Sequence, residues 1–201
     1  MILMCLPLLS QAQGNWERPE TQATTTPTSK PGYAYAKYVG NVVPEVNGEV
    51  VWEKTFTNAK SADENYAASL SFLNAMTKEE GQIDSKVSLV NREERKIACS
   101  FEEWMVFTNK LLSLDRTRFI YTLVAECADH SVKVKIFRIR YWYDEQRNGG
   151  EHYTAEEWIT DKWALNKKKT RLSRMSGKFR RKTVDRVEEI FANIKNALMA
   201  E

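Results

Sequence analysis

Apolar and polar positions along this chain fall into two periods, one of two residues and one near 3.6. In residues 49–57 (EVVWEKTFT), Val50, Trp52 and Phe56 alternate with Val51, Glu53 and Thr55, as in a strand with one covered face. Ser61 then opens a helix, and Glu64, three positions later, completes a capping-box pattern. Tyr66, Leu70, Leu73 and Met76 recur behind it at helical spacing, and Gly81 closes the stripe. A short strand is predicted over residues 83–90, ahead of the charged turn NREERK.

Residues 97–107 and 118–127 read as the next two strands, joined by a connection centred near Ser113. That register pairs Phe101 with Ala125, Met105 with Tyr121 and Phe107 with Phe119, and keeps one face mostly apolar. A tight Asp129-His130 turn, with Asp129 accepting backbone hydrogen bonds, leads into a strand over residues 131–143. A two-residue hairpin there sets Val132, Val134 and Ile136 beside Cys127, Ala125 and Leu123. The apolar parity then changes to Phe137, Ile139, Tyr141 and Tyr143, so either a bulge lies near residue 137 or both faces become covered. Thr154 and Glu157 form a second capping pattern before a short helix with Trp158. Thr183, Val187, Ile190, Phe191, Ile194 and Leu198 stripe a terminal helix, with residues 180–182 ahead of it. The predicted order is β-α-β-β-β-β-α. This is an α+β fold: an antiparallel sheet backed on one face by helices, its other face wet or available to a partner.

Residues 1–9 are almost wholly apolar, and Ser10 and Ala12 stand at the third and first places before a cut after Ala12. Residues 1–12 therefore read as a signal peptide, with the mature chain exported to the periplasm or cell envelope. Nothing further on approaches the roughly 20 apolar residues of a membrane span. Residues 13–47 read as a Thr/Pro-rich tether, with Tyr33 and Tyr35 lying either within it or along a sheet edge. Residues 48–201 form a single α+β domain in this reading.

The run from Phe56 to Tyr66 (FTNAKSADENY), with its helix ending near Phe72-Leu73-Asn74, resembles a secreted Bacteroidetes family with a TBP-like fold, domain of unknown function 4468. Tyr121-Thr122-Leu123, the strand Val132 to Ile136, Glu156-Glu157-Trp158-Ile159 and the helix pattern Val184, Asp185, Val187, Ile190 are similar too. The resemblance covers about residues 48–198 and contains no catalytic motif. It implies a TBP-like arrangement, export and no established activity. It implies no DNA binding, which belongs to other proteins of that topology.

Charge changes the picture locally. The 201-residue chain carries 30 Lys and Arg against 27 Asp and Glu, too even a balance to imply a polyanionic partner. Residues 162–186, however, hold 11 basic side chains and one acid, Asp185. Within this stretch Lys167, Lys168, Lys169, Arg171, Arg180 and Arg181 are the candidate ligand-binding residues, offering phosphate-bearing surfaces a weak, salt-sensitive contact. Nucleic acid is not the expected partner, because the exposed-aromatic motif of sheet-platform binders is missing.

With His130 and His152 the only histidines, and no nucleotide loop, nucleophile elbow or paired-cysteine motif, no catalytic residue, metal site or cofactor is expected. The chain reads as a noncatalytic exported interaction or structural module whose partner is an envelope protein or an anionic surface. The alternative is a small hydrolase or carbohydrate-processing enzyme, in which Tyr141, Trp142 and Tyr143 hold a sugar beside Asp144 and Glu145.

Removal of residues 1–12 takes Cys5 and leaves Cys99 and Cys127. The register centred near Ser113 sets these two opposite each other on the core face, where they form either a disulfide or two buried reduced thiols.

Overall fold

The computed structural model describes residues 35–110 and 113–200. Residues 1–12, read above as a signal peptide, and most of the expected tether lie outside the described residues. After a single 3₁₀ turn at Ala36–Tyr38, strands β1 (Glu45–Val46) and β2 (Glu49–Val50) form a small hairpin. Its turn is Asn47-Gly48, with φ of 53° and 83°, the left-handed pair that suits a two-residue hairpin. Strand β3 (Trp52–Thr57) leads to helix α1 (Ala62–Met76), followed by β4 (Lys86–Asn91), β5 (Lys96–Lys110), β6 (Ser113–Ala128) and β7 (Ser131–Tyr143). Strand β8 (Glu151–Thr154), the short helices α2 (Ala155–Trp158) and α3 (Asp161–Ala164), and the long α4 (Ser176–Met199) complete the chain.

All pairings are antiparallel. The main sheet runs β3-β7-β6-β5-β4, and β8 pairs with β7 beyond the end of β3. Helices α1 and α4 cover one face, as the predicted α+β order requires; β8, α3 and the β1–β2 hairpin are additions to it. The Ser61/Glu64 capping box forms, with the Ser61 side chain accepting from Glu64 N and Glu64 accepting from Ser61 N at 2.7 Å. Asp129 accepts from Ala62 N at 2.7 Å, so the β6–β7 turn also satisfies the start of α1.

The register of β6 on β7 follows the sequence: Leu123, Ala125 and Cys127 face Ile136, Val134 and Val132. The parity change is a bulge. Ile120 pairs with Arg140 and Thr122 with Phe137, leaving Tyr121 opposite both Arg138 and Ile139, with Arg138 at φ 55°. That extra residue returns Ile139 and Tyr141 to the buried face.

The register of β5 on β6 differs from expectation by four residues. Strand β5 continues to Lys110 and pairs it with Ser113, and a further irregularity falls between Val106 and Thr108. Phe101 therefore faces Tyr121 rather than Ala125, and Cys99 faces Leu123 rather than Cys127. A shift of four preserves faces, so both cysteines are buried, but they stand ~13 Å apart along the strands, beyond disulfide reach. Both are free thiols.

The folded unit also begins earlier than Gly48. Tyr38 and Val43 are buried, and Tyr38 Oη donates to the Asp185 carboxylate at 2.8 Å. Residues 36–47 thus belong to the domain rather than to the tether. Helix α4 starts seven positions before Thr183, and its buried stripe includes Phe179 and Arg180. Among the described residues, no helix is long and apolar enough to cross a membrane.

Candidate anion-contact surface

The basic segment divides between a loop and the first turns of α4. Past Ala164, the chain reverses on itself through a bridge between Leu165 and Leu172. Asn166 organises the reversal. Its Oδ1 accepts from Thr170 N at 2.8 Å and Arg171 N at 3.2 Å, while Lys169 N donates to Asn166 O at 2.8 Å. Lys169 itself takes a φ of 54°. The base is held by Ser173 N donating to Ala164 O at 2.8 Å and Ser176 Oγ donating to Trp163 O at 2.7 Å. Gly177 permits this closure, since a Cβ there would lie 2.7 Å from Leu172 Cβ.

Lys167, Lys168, Lys169 and Arg171 are all exposed on this loop, as are Lys162 and Arg174 on either side. Asp161 is the one acid in residues 161–176. It accepts from Arg180 Nη2 at 2.8 Å, and Lys169 Nζ stands 3.9 Å from its other oxygen. The loop presents fixed backbone, exposed cations and little counter-charge.

Two of the predicted contact residues are elsewhere. Arg180 is fully buried, donating to Tyr38 O at 2.7 Å, Gly40 O at 2.6 Å, Ile159 O at 2.9 Å and the Asp161 carboxylate. It binds the chain's own backbone, because the early start of α4 places it on the inward face. Arg181 is half-buried along α4, beyond the loop. Lys178 is also engaged: its Nζ donates to Asp115 at 2.7 Å and Tyr143 Oη at 3.0 Å, over the Phe107 and Tyr143 rings. Lys162, Arg174, Trp163 and Met175 join the exposed set.

Of the residues of the enzymatic alternative, Trp142 lies on the open sheet face in a cross-strand row, while Tyr141 and Tyr143 turn to the helix-covered face. Trp104, Arg118, Trp142 and His152 are direct register partners across β5, β6, β7 and β8. The Arg118 guanidinium lies 4.5 Å from the Trp142 ring centre and 5.5 Å from that of Trp104, and His152 stacks on Trp142 at 5.1 Å. Glu102 at 2.7 Å and Glu145 at 2.6 Å hold Arg118 from two sides and keep its charged form favoured. Tyr141 is buried with its hydroxyl 2.7 Å from Thr183 Oγ1, and Tyr143 donates to Asp115. An open concavity of about 480 Å³ is lined by Glu49 and Glu53 with Lys135, Val46, Asn47 and Val51, none of them aromatic.

Residues 52–142 match the family model described as a domain of unknown function (DUF4468) with TBP-like fold. A crystal structure of a DUF4468 family protein from Bacteroides ovatus ATCC 8483 is 39% identical, with a TM-score of 0.76 over 83% of this chain and 96% of that one. The chain belongs to the DUF4468 family. A TBP-like protein from Parabacteroides distasonis ATCC 8503 shares the fold at 23% identity and a TM-score of 0.62, over 80% of this chain and 99% of that one. No curated protein matches. The DUF4468 model ends at Trp142, so β8, the basic loop and α4 lie outside the residues it matches.

Proposed function

We propose that this DUF4468 protein is a noncatalytic exported interaction module that contacts an anionic envelope component through the loop between α3 and α4. One observation carries the reading. Six exposed cations stand on or beside a loop whose backbone is already fixed and whose one neighbouring acid is tied to Arg180. Fixed backbone reduces the ordering cost of contact, and clustered cations release counterions from a phosphate-bearing surface. The apolar leader and the Ser10/Ala12 pattern support export. Of the two acids named for hydrolysis, Glu145 is committed to Arg118.

Fractionation of cells followed by intact-mass analysis tests the location. The expected species begins at Gln13 in the periplasmic or envelope fraction, and an uncleaved cytoplasmic chain would overturn export. Titration with sodium polyphosphate tests the contact, expected at low salt and weakened by added salt.

A further inference from the structure

We infer that the anionic partner of this loop is a lipid bilayer surface, which Trp163 and Met175 enter while the surrounding cations meet lipid phosphate. The inference rests on the anion-contact reading above and narrows it to one partner.

Trp163 is 47% exposed and Met175 is 54% exposed, both within the most basic stretch of the chain. Helix α3 is a single turn that buries Ala164, leaving Trp163 turned outward with Lys162 Nζ 4.7 Å from its ring centre. Met175 occupies the N-cap of α4 and makes no side-chain cap. Ser173 Oγ already accepts from Gly177 N at 3.1 Å, so the exposed methionine does no capping for the helix. The two side chains leave one junction, since Ser176 Oγ, adjacent to Met175, donates to Trp163 O. Lys162 and Arg174 are their immediate neighbours in the chain, and Lys167, Lys168, Lys169 and Arg171 form the loop beside them.

A contact with a soluble polyanion uses the cations and leaves the apolar pair in water. A bilayer surface uses both. Indole favours the headgroup boundary, where its ring is covered and its N–H stays hydrated, and basic side chains around an apolar anchor gain from anionic lipid. A single exposed ring does not make the successive stacking platform that single-stranded nucleic acid requires.

The test uses the full mature chain and vesicles of phosphatidylcholine alone, or of phosphatidylcholine and phosphatidylglycerol in equal parts. Co-sedimentation measures partitioning, and phosphatidylcholine brominated in its acyl chains reports tryptophan entry by quenching. The wild type is expected to partition only onto the anionic vesicles and to be quenched there. Trp163→Phe should lose the quenching while keeping most of the binding. Trp163→Ala combined with Met175→Ser should lose most vesicle binding while keeping polyphosphate binding and a cooperative thermal transition. Unchanged vesicle binding by that double variant, or absent quenching in a wild type that binds polyphosphate, would overturn the bilayer inference and leave anion contact standing. No binding to vesicles or polyphosphate at low salt would overturn both.

Discussion

Arg180 carries its charge into the interior, where its guanidinium donates to three backbone carbonyls and one carboxylate. Those partners come from the segment before β1, the end of α2 and the start of α3, so one side chain ties three irregular pieces to α4. Arg180→Ala leaves the carbonyls and Asp161 without their donor and should destabilise the fold by about 3–5 kcal/mol in urea unfolding. Proteolysis should then reach the chain near Tyr38 first. A loss below about 1 kcal/mol would contradict this account. The same physics governs Arg186. Burial opposes its charge, and the paired contacts to Glu103 at 2.8 and 2.7 Å outweigh that and raise its pKa. Burial pushes the Cys99 thiol up to about 12, from 9.0. Above about pH 9 the unfolded chain releases this proton while the folded chain keeps it, so stability falls as pH rises toward 12 and is unaffected below. Tyr121 and Tyr141, raised chiefly by burial, act in the same direction. Urea midpoints should therefore decline above about pH 9, less steeply in Cys99→Ala, and a slope unchanged by that substitution would contradict the assignment. Alkylation at neutral pH should find no reactive thiol in the native domain and two after denaturation.

At the scale of elements, two hairpins show what was legible and what was not. The β6–β7 register was readable because a two-residue turn at Asp129-His130 leaves no freedom in pairing. The β5–β6 register was not. Asn109 and Asp115 resemble a loop but lie inside the strands, and an even slip keeps every side chain on its own face. Alternation therefore identified the core residues and left their partners undetermined, which is why the Cys99–Cys127 pairing failed. The start of α4 was hidden for another reason: a buried arginine does not register as part of an apolar stripe. The bulge at Arg138 is the element on which the whole second half of β7 depends. Deleting Arg138 would remove the extra residue and leave Ile136, Ile139 and Tyr141 in plain alternation on the buried face, so a cooperative thermal transition is expected to survive. Arg138→Gly suits the left-handed backbone at this position and should stay within about 1 kcal/mol of the wild type. Loss of the cooperative transition in the deletion variant would contradict the bulge.

Across the whole molecule, charge is sorted by depth rather than by sequence. Arg180 and Arg186 are buried and Lys178 and Arg118 are held by carboxylates, while Lys167, Lys168, Lys169 and Arg171 remain in solvent. Composition alone located the basic segment, but only packing separates its two buried arginines from its surface cations. The same Arg180–Asp161 pair that ties the N-terminal segment down also removes the loop's one acid from competition. The most direct measurement of this division compares polyphosphate affinity at low and at physiological salt for three chains. They are the wild type, Lys167→Glu with Lys168→Glu and Arg171→Glu, and Arg181→Glu. The account predicts salt-sensitive binding by the wild type, its loss in the loop variant with an unchanged melting temperature, and near-wild-type binding by Arg181→Glu. Equal binding by the loop variant and the wild type would contradict it.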